Sequence, residues 1–232
     1  MSNKSTDSWM KQIFAIYEKM RNRAKGDFYE AECNGLTFKV HKNVYSPDQF
    51  SDSTYFSKEL PKIVGNSSLL EIGTGTGVIS IICALKGAKV FLTDINPDAV
   101  KVAKENAKRY NLDIPIKESD MYESINPDEK FDFIFWSHPY NNWNEPVDDM
   151  LLRSGLDYKY DSLRRYIEGA RAHLLPGGKL LLGTGNTADI ATIAKIAEKN
   201  KYSIRILKAS EMPLAFKEKG RIINMIFQFD PL

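Results

Sequence analysis

The sequence predicts an α/β fold, in which a doubly wound, mostly parallel sheet of seven strands ends in an antiparallel last strand. Two observations lead to this fold class. From residue 68 onward, short apolar runs alternate with helical patterns, and this alternation is typical of a parallel sheet covered on both faces. The last two apolar runs have no helical pattern between them, so we expect the final strand to enter in the opposite direction.

The predicted elements follow one another at short intervals. The strands are Ser68–Ile72, Val90–Thr93, Ile114–Lys117, Phe131–Trp136, Lys179–Gly183, Ser203–Leu207 and Ile222–Phe229. The helices are Val78–Leu85, Pro97–Tyr110, Asp161–Leu175 and Thr187–Asn200. Asn96 followed by Pro97 is a usual helix start, and Pro176-Gly177-Gly178 ends the third helix because proline and glycine interrupt helices.

The residues before the sheet predict a helix and a hairpin. Ser8–Met20 carries an apolar stripe at helical spacing. Phe28–Glu32 and Leu36–Val40 flank Asn34-Gly35, a pair that favours a tight hairpin turn. We therefore divide the chain into a cap of residues 1–60 and a main domain of residues 61–232.

Composition restricts the classes of partner. The chain has 232 residues, with 32 basic and 30 acidic side chains, and this near balance disfavours nucleic acid as a partner without removing it. No run approaches the roughly 18 apolar residues that a membrane helix needs. Cys33 and Cys83 have neither disulfide-framework nor metal-ligand spacing. We expect a cytoplasmic protein without a bound metal and without a membrane partner.

The sequence from Glu71 to Gly77, Glu-Ile-Gly-Thr-Gly-Thr-Gly, follows the first predicted strand. Glycines at this point let the chain turn sharply and let a ligand approach the backbone. Asp94 ends the next strand, where a carboxylate can accept hydrogen bonds from both hydroxyls of a ribose. A nicotinamide dinucleotide is disfavoured, because its fingerprint would place the branched Val78 where a small residue is needed.

These motifs resemble those of the class I S-adenosylmethionine-dependent methyltransferases, whose domain is Rossmann-like. The resemblance covers Ser67–Leu232 and implies S-adenosyl-L-methionine as cofactor. It places the methionine portion on the loop formed by Gly73, Thr74, Gly75 and Gly77, with Glu71 holding the loop. It also places the ribose on Asp94 beside Ile95, the adenine amino group on Asp120, and the purine against Met121.

Ser137-His138-Pro139-Tyr140 follows the fourth predicted strand, at the edge of the sheet where chemistry is expected. This tetrapeptide resembles the N-P-P-Y signature of methyltransferases that act on planar amino groups, and the residues after it resemble the release-factor glutamine methyltransferase branch. The resemblance implies that Ser137 and the next carbonyl accept hydrogen bonds from the target nitrogen, that Ser137 also contacts the cofactor, and that Pro139 and Tyr140 hold the substrate.

Two residues near this signature each have two interpretations. His138 replaces a proline of the signature. Its functional interpretation is a base for a weaker nucleophile or a hydrogen-bond partner of the substrate, and its structural interpretation is a ring that caps the turn or points to solvent. Trp143 lies in the polar loop Tyr140–Asp149. It either lines the substrate site or fixes the loop in place.

The sequence therefore predicts an N-methyltransferase that acts on a planar amide or amino group of a protein or a small molecule. Three alternatives stay open. One is an RNA or DNA exocyclic-amino methyltransferase, and one is a metabolite O- or N-methyltransferase that uses His138 as base. The third is a protein that binds S-adenosylmethionine without catalysis.

Overall fold

The computed structural model describes residues 3–215 and 220–232, and it contains the predicted seven-stranded sheet. The strands of this sheet are β3 (Ser68–Ile72), β4 (Lys89–Asp94), β5 (Ile116–Glu118), β6 (Phe131–Ser137), β9 (Leu174–Gly185), β10 (Tyr202–Pro213) and β11 (Arg221–Pro231). Two small sheets accompany it: β1 (Phe28–Cys33) with β2 (Leu36–His41), and β7 (Asn141–Trp143) with β8 (Leu156–Tyr158).

The strand order in the large sheet is β10-β11-β9-β6-β3-β4-β5. β3, β4, β5, β6 and β9 pair in parallel, and β11 runs antiparallel to both of its neighbours, β9 and β10. The predicted fold class is thus confirmed, including the antiparallel last strand. The chain leaves β3 toward β4 and later returns to β6 on the other side of β3, so a crevice opens between the carboxyl ends of β3 and β6.

Helices cover both faces of the sheet. They are α1 (Asn3–Asn22), α2 (Ser51–Val64), α3 (Val78–Leu85), α4 (Pro97–Arg109), α5 (Met150–Arg153), α6 (Asp161–Gly169) and α7 (Ile190–Lys199). Apolar side chains of α2, α3 and α4 form the core on one face, and those of α6 and α7 form the core on the other. The predicted third helix is shorter than expected, because α6 ends at Gly169 and a 3-10 turn, Ala170–His173, leads into β9.

The N-terminal helix and hairpin are also as predicted. Asn34 and Gly35 both have positive φ, as the tight hairpin turn requires. The Asn106 side chain of α4 donates to the main-chain O of Lys39 and accepts from its N–H, so the hairpin is fixed to the main domain. Helix α2 spans the division proposed at residue 60, and that division stays a prediction. Among the described residues, no helix is long and apolar enough to cross a bilayer.

Candidate active site

A cavity of about 400 Å³ opens at the carboxyl ends of the parallel strands. We name its two sides by their origin. The strand-end side is formed after β3, β4 and β5 by Glu71, Gly73, Thr74, Gly75, Asp94, Ile95, Asp120 and Met121. The cap side is formed by α1, by the segment that leads into α2 and by the β10–β11 hairpin, through Ile13, Tyr17, Tyr45, Phe50, Asp52, Leu214, Ile222 and Asn224. Ser137, His138, Pro139 and Tyr140 complete the lining.

The glycine loop presents bare backbone to the cavity. Gly73, Gly75 and Gly77 all have positive φ, which disfavours any side chain. A Cβ on Gly75 would meet no atom within 4 Å, so it would project into open space of the cavity that Gly75 lines. A Cβ on Gly73 would collide with the Trp136 ring. Gly77 is not among the lining residues, and it allows the close packing of Ile81 and Ala103 instead.

Glu71 supports this loop from below. Its side chain is buried, and its carboxylate accepts a 2.6 Å hydrogen bond from the Thr74 hydroxyl. Burial raises the pKa of Glu71 to about 7, because the charged form loses its hydration. Glu71 therefore holds the loop and can change its charge near neutral pH.

Asp94 joins the loop to the end of β4. Its Oδ2 accepts a 2.8 Å hydrogen bond from the Gly75 N–H, and its Oδ1 accepts one of 2.8 Å from the Asn96 N–H. Burial raises the pKa of Asp94, and the two backbone donors act in the opposite direction. Each carboxylate oxygen has two lone pairs, so one acceptor site on each oxygen remains for a ligand.

Asp120 and Met121 stand beyond the end of β5, as the sequence predicts. Both oxygens of Asp120 accept hydrogen bonds from the Arg165 guanidinium, at 3.0 and 2.9 Å. Met121 has a φ of 50°, in the left-handed region that few side chains adopt. The loop between Ser119 and Ser124 maintains this conformation, because the Ser119 hydroxyl donates to the Met121 carbonyl and accepts from the Ser124 N–H.

The comparison with protein families bears directly on this arrangement. The model of the family described as "Methyltransferase small domain" matches residues 35–205. The chain belongs to the methyltransferase small domain family. The match includes the glycine loop, Asp94, Asp120 and the residues of the Ser-His-Pro-Tyr turn.

Relatives and solved structures agree with this assignment. This methyltransferase is 40% identical over 174 residues to a protein of Methanocaldococcus jannaschii, provisionally named a protein N5-glutamine methyltransferase, with 71% of this chain and 84% of the relative covered. It is 28% identical to the release factor glutamine methyltransferase of Aquifex aeolicus, over 83% of this chain and 74% of that one. The structure of the T. thermophilus 16S rRNA N2 G1207 methyltransferase, solved with AdoMet and guanosine, has the same fold, with a TM-score of 0.61, 18% identity, and coverage of 88% of this chain and 50% of that one.

This protein is an S-adenosylmethionine-dependent methyltransferase, and its cavity fits that cofactor. Gly75 leaves room that a Cβ would fill, Asp94 keeps unused acceptor sites, and Glu71 is a buried acid beneath the loop. The open space in front of Gly75 can hold the ligand, the free acceptor sites of Asp94 can bind the hydroxyls of a ribose, and the Glu71 carboxylate can face an ammonium group.

The Ser-His-Pro-Tyr turn lies between the two sides of the cavity. Ser137 is the last residue of β6 and pairs with Gly183 of β9. The Tyr140 ring lies against Gly185, where a Cβ would approach the ring to 2.7 Å. The Tyr160 hydroxyl donates a 2.6 Å hydrogen bond to the Tyr140 carbonyl, so the turn is fixed by contacts on both of its flanks.

His138 is buried beneath this turn. The ring Nε2 lies 2.9 Å from the Thr184 hydroxyl, and the main-chain N–H of His138 donates to the Gly183 carbonyl. Burial lowers the pKa of His138 to about 3. An imidazole with so low a pKa is a weak base at neutral pH, which favours the interpretation that the ring fills and fixes the turn.

Trp143 lies outside the cavity lining, contrary to one of its two interpretations. It is the last residue of β7, and its ring packs edge-on against Phe14 of α1, with ring centres 6.0 Å apart. Arg21 of α1 also binds both oxygens of Asp149. The loop after Tyr140 therefore contacts α1 twice, through the Trp143–Phe14 ring pair and through the Arg21–Asp149 ion pair.

The cap side contains functional candidates that the sequence analysis missed. The Tyr45 hydroxyl donates to both oxygens of Asp52, at 3.1 Å each, and burial raises the pKa of Asp52 to about 6. Asn224 is fully buried and donates to the Ser51 hydroxyl. Within the described residues, Asn224 Oδ1 and the Tyr140 hydroxyl have no hydrogen-bond partner although both are buried.

No local motif of the sequence indicates the cap side. Its residues come from positions 13 to 52 and from the region around the last two strands, and only the fold brings them together.

Proposed function

We propose that this methyltransferase transfers a methyl group to the side-chain amide nitrogen of a glutamine in a protein. The observation that supports this most directly is a group of three buried polar atoms without a hydrogen-bond partner on described residues that line the cavity: Tyr140 Oη, Asn224 Oδ1 and His138 Nδ1. A primary carboxamide has two N–H donors and an acceptor oxygen, so it can satisfy both kinds of group. The relatives named for protein glutamine methylation point to the same acceptor.

The strand-end side binds the cofactor in this proposal. Glu71 supports the loop and faces the ammonium group, Gly73, Thr74, Gly75 and Gly77 form the loop, and Asp94 with Ile95 receives the ribose. Asp120, oriented by Arg165, accepts from the adenine amino group, and Met121 packs on the purine. When bound, S-adenosylmethionine supplies a methyl group made electrophilic by its sulfonium.

The Ser137-His138-Pro139-Tyr140 turn positions the acceptor. The Ser137 hydroxyl and the main-chain carbonyl of His138 accept hydrogen bonds from the amide nitrogen, and the Tyr140 ring with Pro139 supports the amide plane. Two acceptors fix the direction of the nitrogen lone pair, so this site acts through orientation and proximity. Serine provides a shorter acceptor than the asparagine of the family signature. Because a primary amide has only two N–H groups, Asn224 Oδ1 on the cap side would accept in place of one of these two oxygens.

The buried environment of His138 argues against the metabolite methyltransferase that would use this ring as base. The nucleic-acid alternative has less support than the protein acceptor, since the described residues of the lining include seven acidic side chains and two arginines, and carboxylates repel phosphate groups. A protein acceptor of the translation apparatus would place this enzyme in the cytoplasm.

The test is direct identification of the product. Purified protein is incubated with S-adenosylmethionine labelled in the methyl group and with cell extract, and the labelled fraction is digested and analysed by mass spectrometry. We expect a glutamine residue that has gained one methyl group. Replacement of that glutamine by glutamate in the purified acceptor should abolish labelling. Label confined to RNA, DNA or small molecules would contradict the proposal.

A further inference from the structure

Arg153 is the last residue of α5 and lines the cavity. The only other arginine of the lining, Arg165, is paired with Asp120 and Glu123. The Arg153 side chain makes neither a hydrogen bond nor an ion pair with any described residue. It is close enough to Asp94 for its charge to oppose the rise that burial causes in the pKa of that carboxyl. Among the described residues of the lining, Arg153 is therefore a cation without a side-chain partner, and apart from Arg165 the other charged side chains are acids.

The backbone around Arg153 is held firmly, which favours a defined position for the guanidinium. Asp149 caps α5 by accepting from the Leu151 and Leu152 N–H groups, and Leu151 is buried against α1. The Ser154 side chain lies 3.3 Å from the Tyr17 hydroxyl. Gly155 also abuts this hydroxyl, because a Cβ there would approach it to 2.2 Å.

The glycine loop cannot easily supply donors for an anion. The Thr74 N–H donates to the Thr93 carbonyl, the Gly75 N–H to Asp94, and the Gly77 N–H to the Thr74 carbonyl. An anion at the loop would therefore find three of its main-chain donors already engaged. The acids Glu71 and Asp94 beside the loop would repel it.

The cofactor has one anionic group, the α-carboxylate of its methionine portion. We infer that the Arg153 guanidinium, rather than the main-chain donors of the glycine loop, binds this carboxylate. A guanidinium suits this role because its fork of donors matches the two oxygens of a carboxylate. The inference rests on the cofactor positions proposed above and is independent of the identity of the methyl acceptor.

The test compares two ligands that differ in the amino-acid portion. S-Adenosylhomocysteine carries the carboxylate, whereas 5′-methylthioadenosine retains the adenosine and the sulfur but has no amino-acid portion. Calorimetry is performed on the whole chain and on Arg153→Met, with thermal unfolding to check that the variant folds. We expect Arg153→Met to weaken S-adenosylhomocysteine binding by about 10- to 100-fold, the range given by a charged hydrogen bond. Binding of methylthioadenosine should change less than about twofold.

Arg205→Met is the matched control, since Arg205 pairs with Asp230 on the β10–β11 hairpin and does not line the cavity. It removes the same charge and should leave both affinities unchanged. Arg153→Lys should recover part of the lost affinity. An equal loss of affinity for both ligands would mean that Arg153 acts through Asp94, the residue assigned to the ribose. Unchanged affinity for both would mean that Arg153 binds neither ligand. Either result overturns the inference. If neither ligand binds the unsubstituted protein, the proposed cofactor positions themselves fail.

Discussion

The main-chain N–H of Gly75 donates a 2.8 Å hydrogen bond to the Asp94 carboxylate, so the loop after β3 is tied to the end of β4. One side chain thus fixes the shape of the glycine loop and offers acceptors to a ligand. The second carboxylate oxygen binds the Asn96 N–H at the start of α4. A change at either Gly75 or Asp94 should therefore affect the whole strand-end side.

Gly75→Val should abolish binding of S-adenosylhomocysteine, because the new side chain would occupy the open space in front of the loop. Isothermal titration measures this loss. Gly65→Val is a close control: Gly65 has the same φ of 58° with open space around it, and it lies at the end of α2 outside the lining. Both variants carry the strain of a branched residue at positive φ. Normal affinity in Gly75→Val would show that the loop is misassigned.

Asp94→Asn should weaken S-adenosylhomocysteine binding by about 10- to 100-fold. The amide would place an N–H₂ group against one of the two backbone donors, and it would lose the charge that strengthens bonds to the ribose hydroxyls. Asp132→Asn provides the comparison, since Asp132 also accepts from a backbone N–H, that of Ser68, but lies outside the cavity lining. Equal affinities of the two variants would argue against a role for Asp94 in binding the ribose.

Ser137→Ala should lower kcat by about tenfold through the loss of one oriented hydrogen bond. Its affinity for S-adenosylhomocysteine should change little, because Gly75 and Asp94 are untouched. Ser203→Ala on β10 removes a hydroxyl outside the cavity lining and should have full turnover. A Ser137→Ala enzyme with unchanged kcat would remove Ser137 from the catalytic group.

His138→Gln should reduce kcat by less than about tenfold, and the pH profile of kcat between pH 6 and pH 8 should keep its shape. A general base would contribute about 10²- to 10⁴-fold, so a loss of that size would restore His138 as the base. The variant should also change the pH dependence of stability. The pKa of His138 is about 3 in the folded protein and near 6.5 when unfolded.

The unfolded chain therefore binds a proton between these two pH values that the folded protein does not bind, and stability falls as pH decreases through this window. Protonation of His138 in the unfolded chain should lower the free energy of unfolding by about 1 kcal/mol between pH 7 and pH 5.5. Urea unfolding at both pH values, compared between the native chain and His138→Gln, measures this difference. Identical pH dependences would show that His138 is not buried in its neutral form.

Glu71 should release protons when the cofactor binds. Its pKa of about 7 leaves a large share of the carboxyl protonated at neutral pH, and the nearby ammonium of S-adenosylhomocysteine would favour the charged form. Calorimetry at pH 7 in buffers of different ionisation enthalpy should detect about half a proton released. Glu71→Gln should abolish the release, and release that persists in this variant would have to come from another group.

The central strands of the large sheet, such as β3 and β6, were predictable because they are apolar runs that end at turn residues. Helix α2 was missed for a clear reason. Its buried face includes Ser51, Ser53 and Ser57, and Pro61 lies inside the helix, so neither its hydropathy nor its proline is typical of a helix. Strands β7 and β8 have only three residues each, too few for a periodic pattern.

The site residues that belong to local sequence motifs could be predicted. The residues that come together only through the fold could not. Glu71, Asp94 and Asp120 lie at or just beyond the carboxyl ends of β3, β4 and β5, so the order of neighbouring parallel strands places them together. Asp52 and Asn224 are 172 positions apart in the chain, and no sequence pattern joins them. The burial of His138 and the contact of Trp143 with Phe14 also depend on packing, which is why the sequence left both residues with two interpretations.

The cap side is assembled from the two ends of the chain, whereas the strand-end side comes from the middle. If the cap side contacts the methyl acceptor, substitutions near either terminus would alter the choice of acceptor without disturbing nucleoside recognition. A chimera that receives α1 and the β10–β11 hairpin from a relative should accordingly inherit the target of the donor while keeping its own affinity for S-adenosylhomocysteine. Specificity for the methyl acceptor could then be exchanged between members of this family together with α1 and the β10–β11 hairpin.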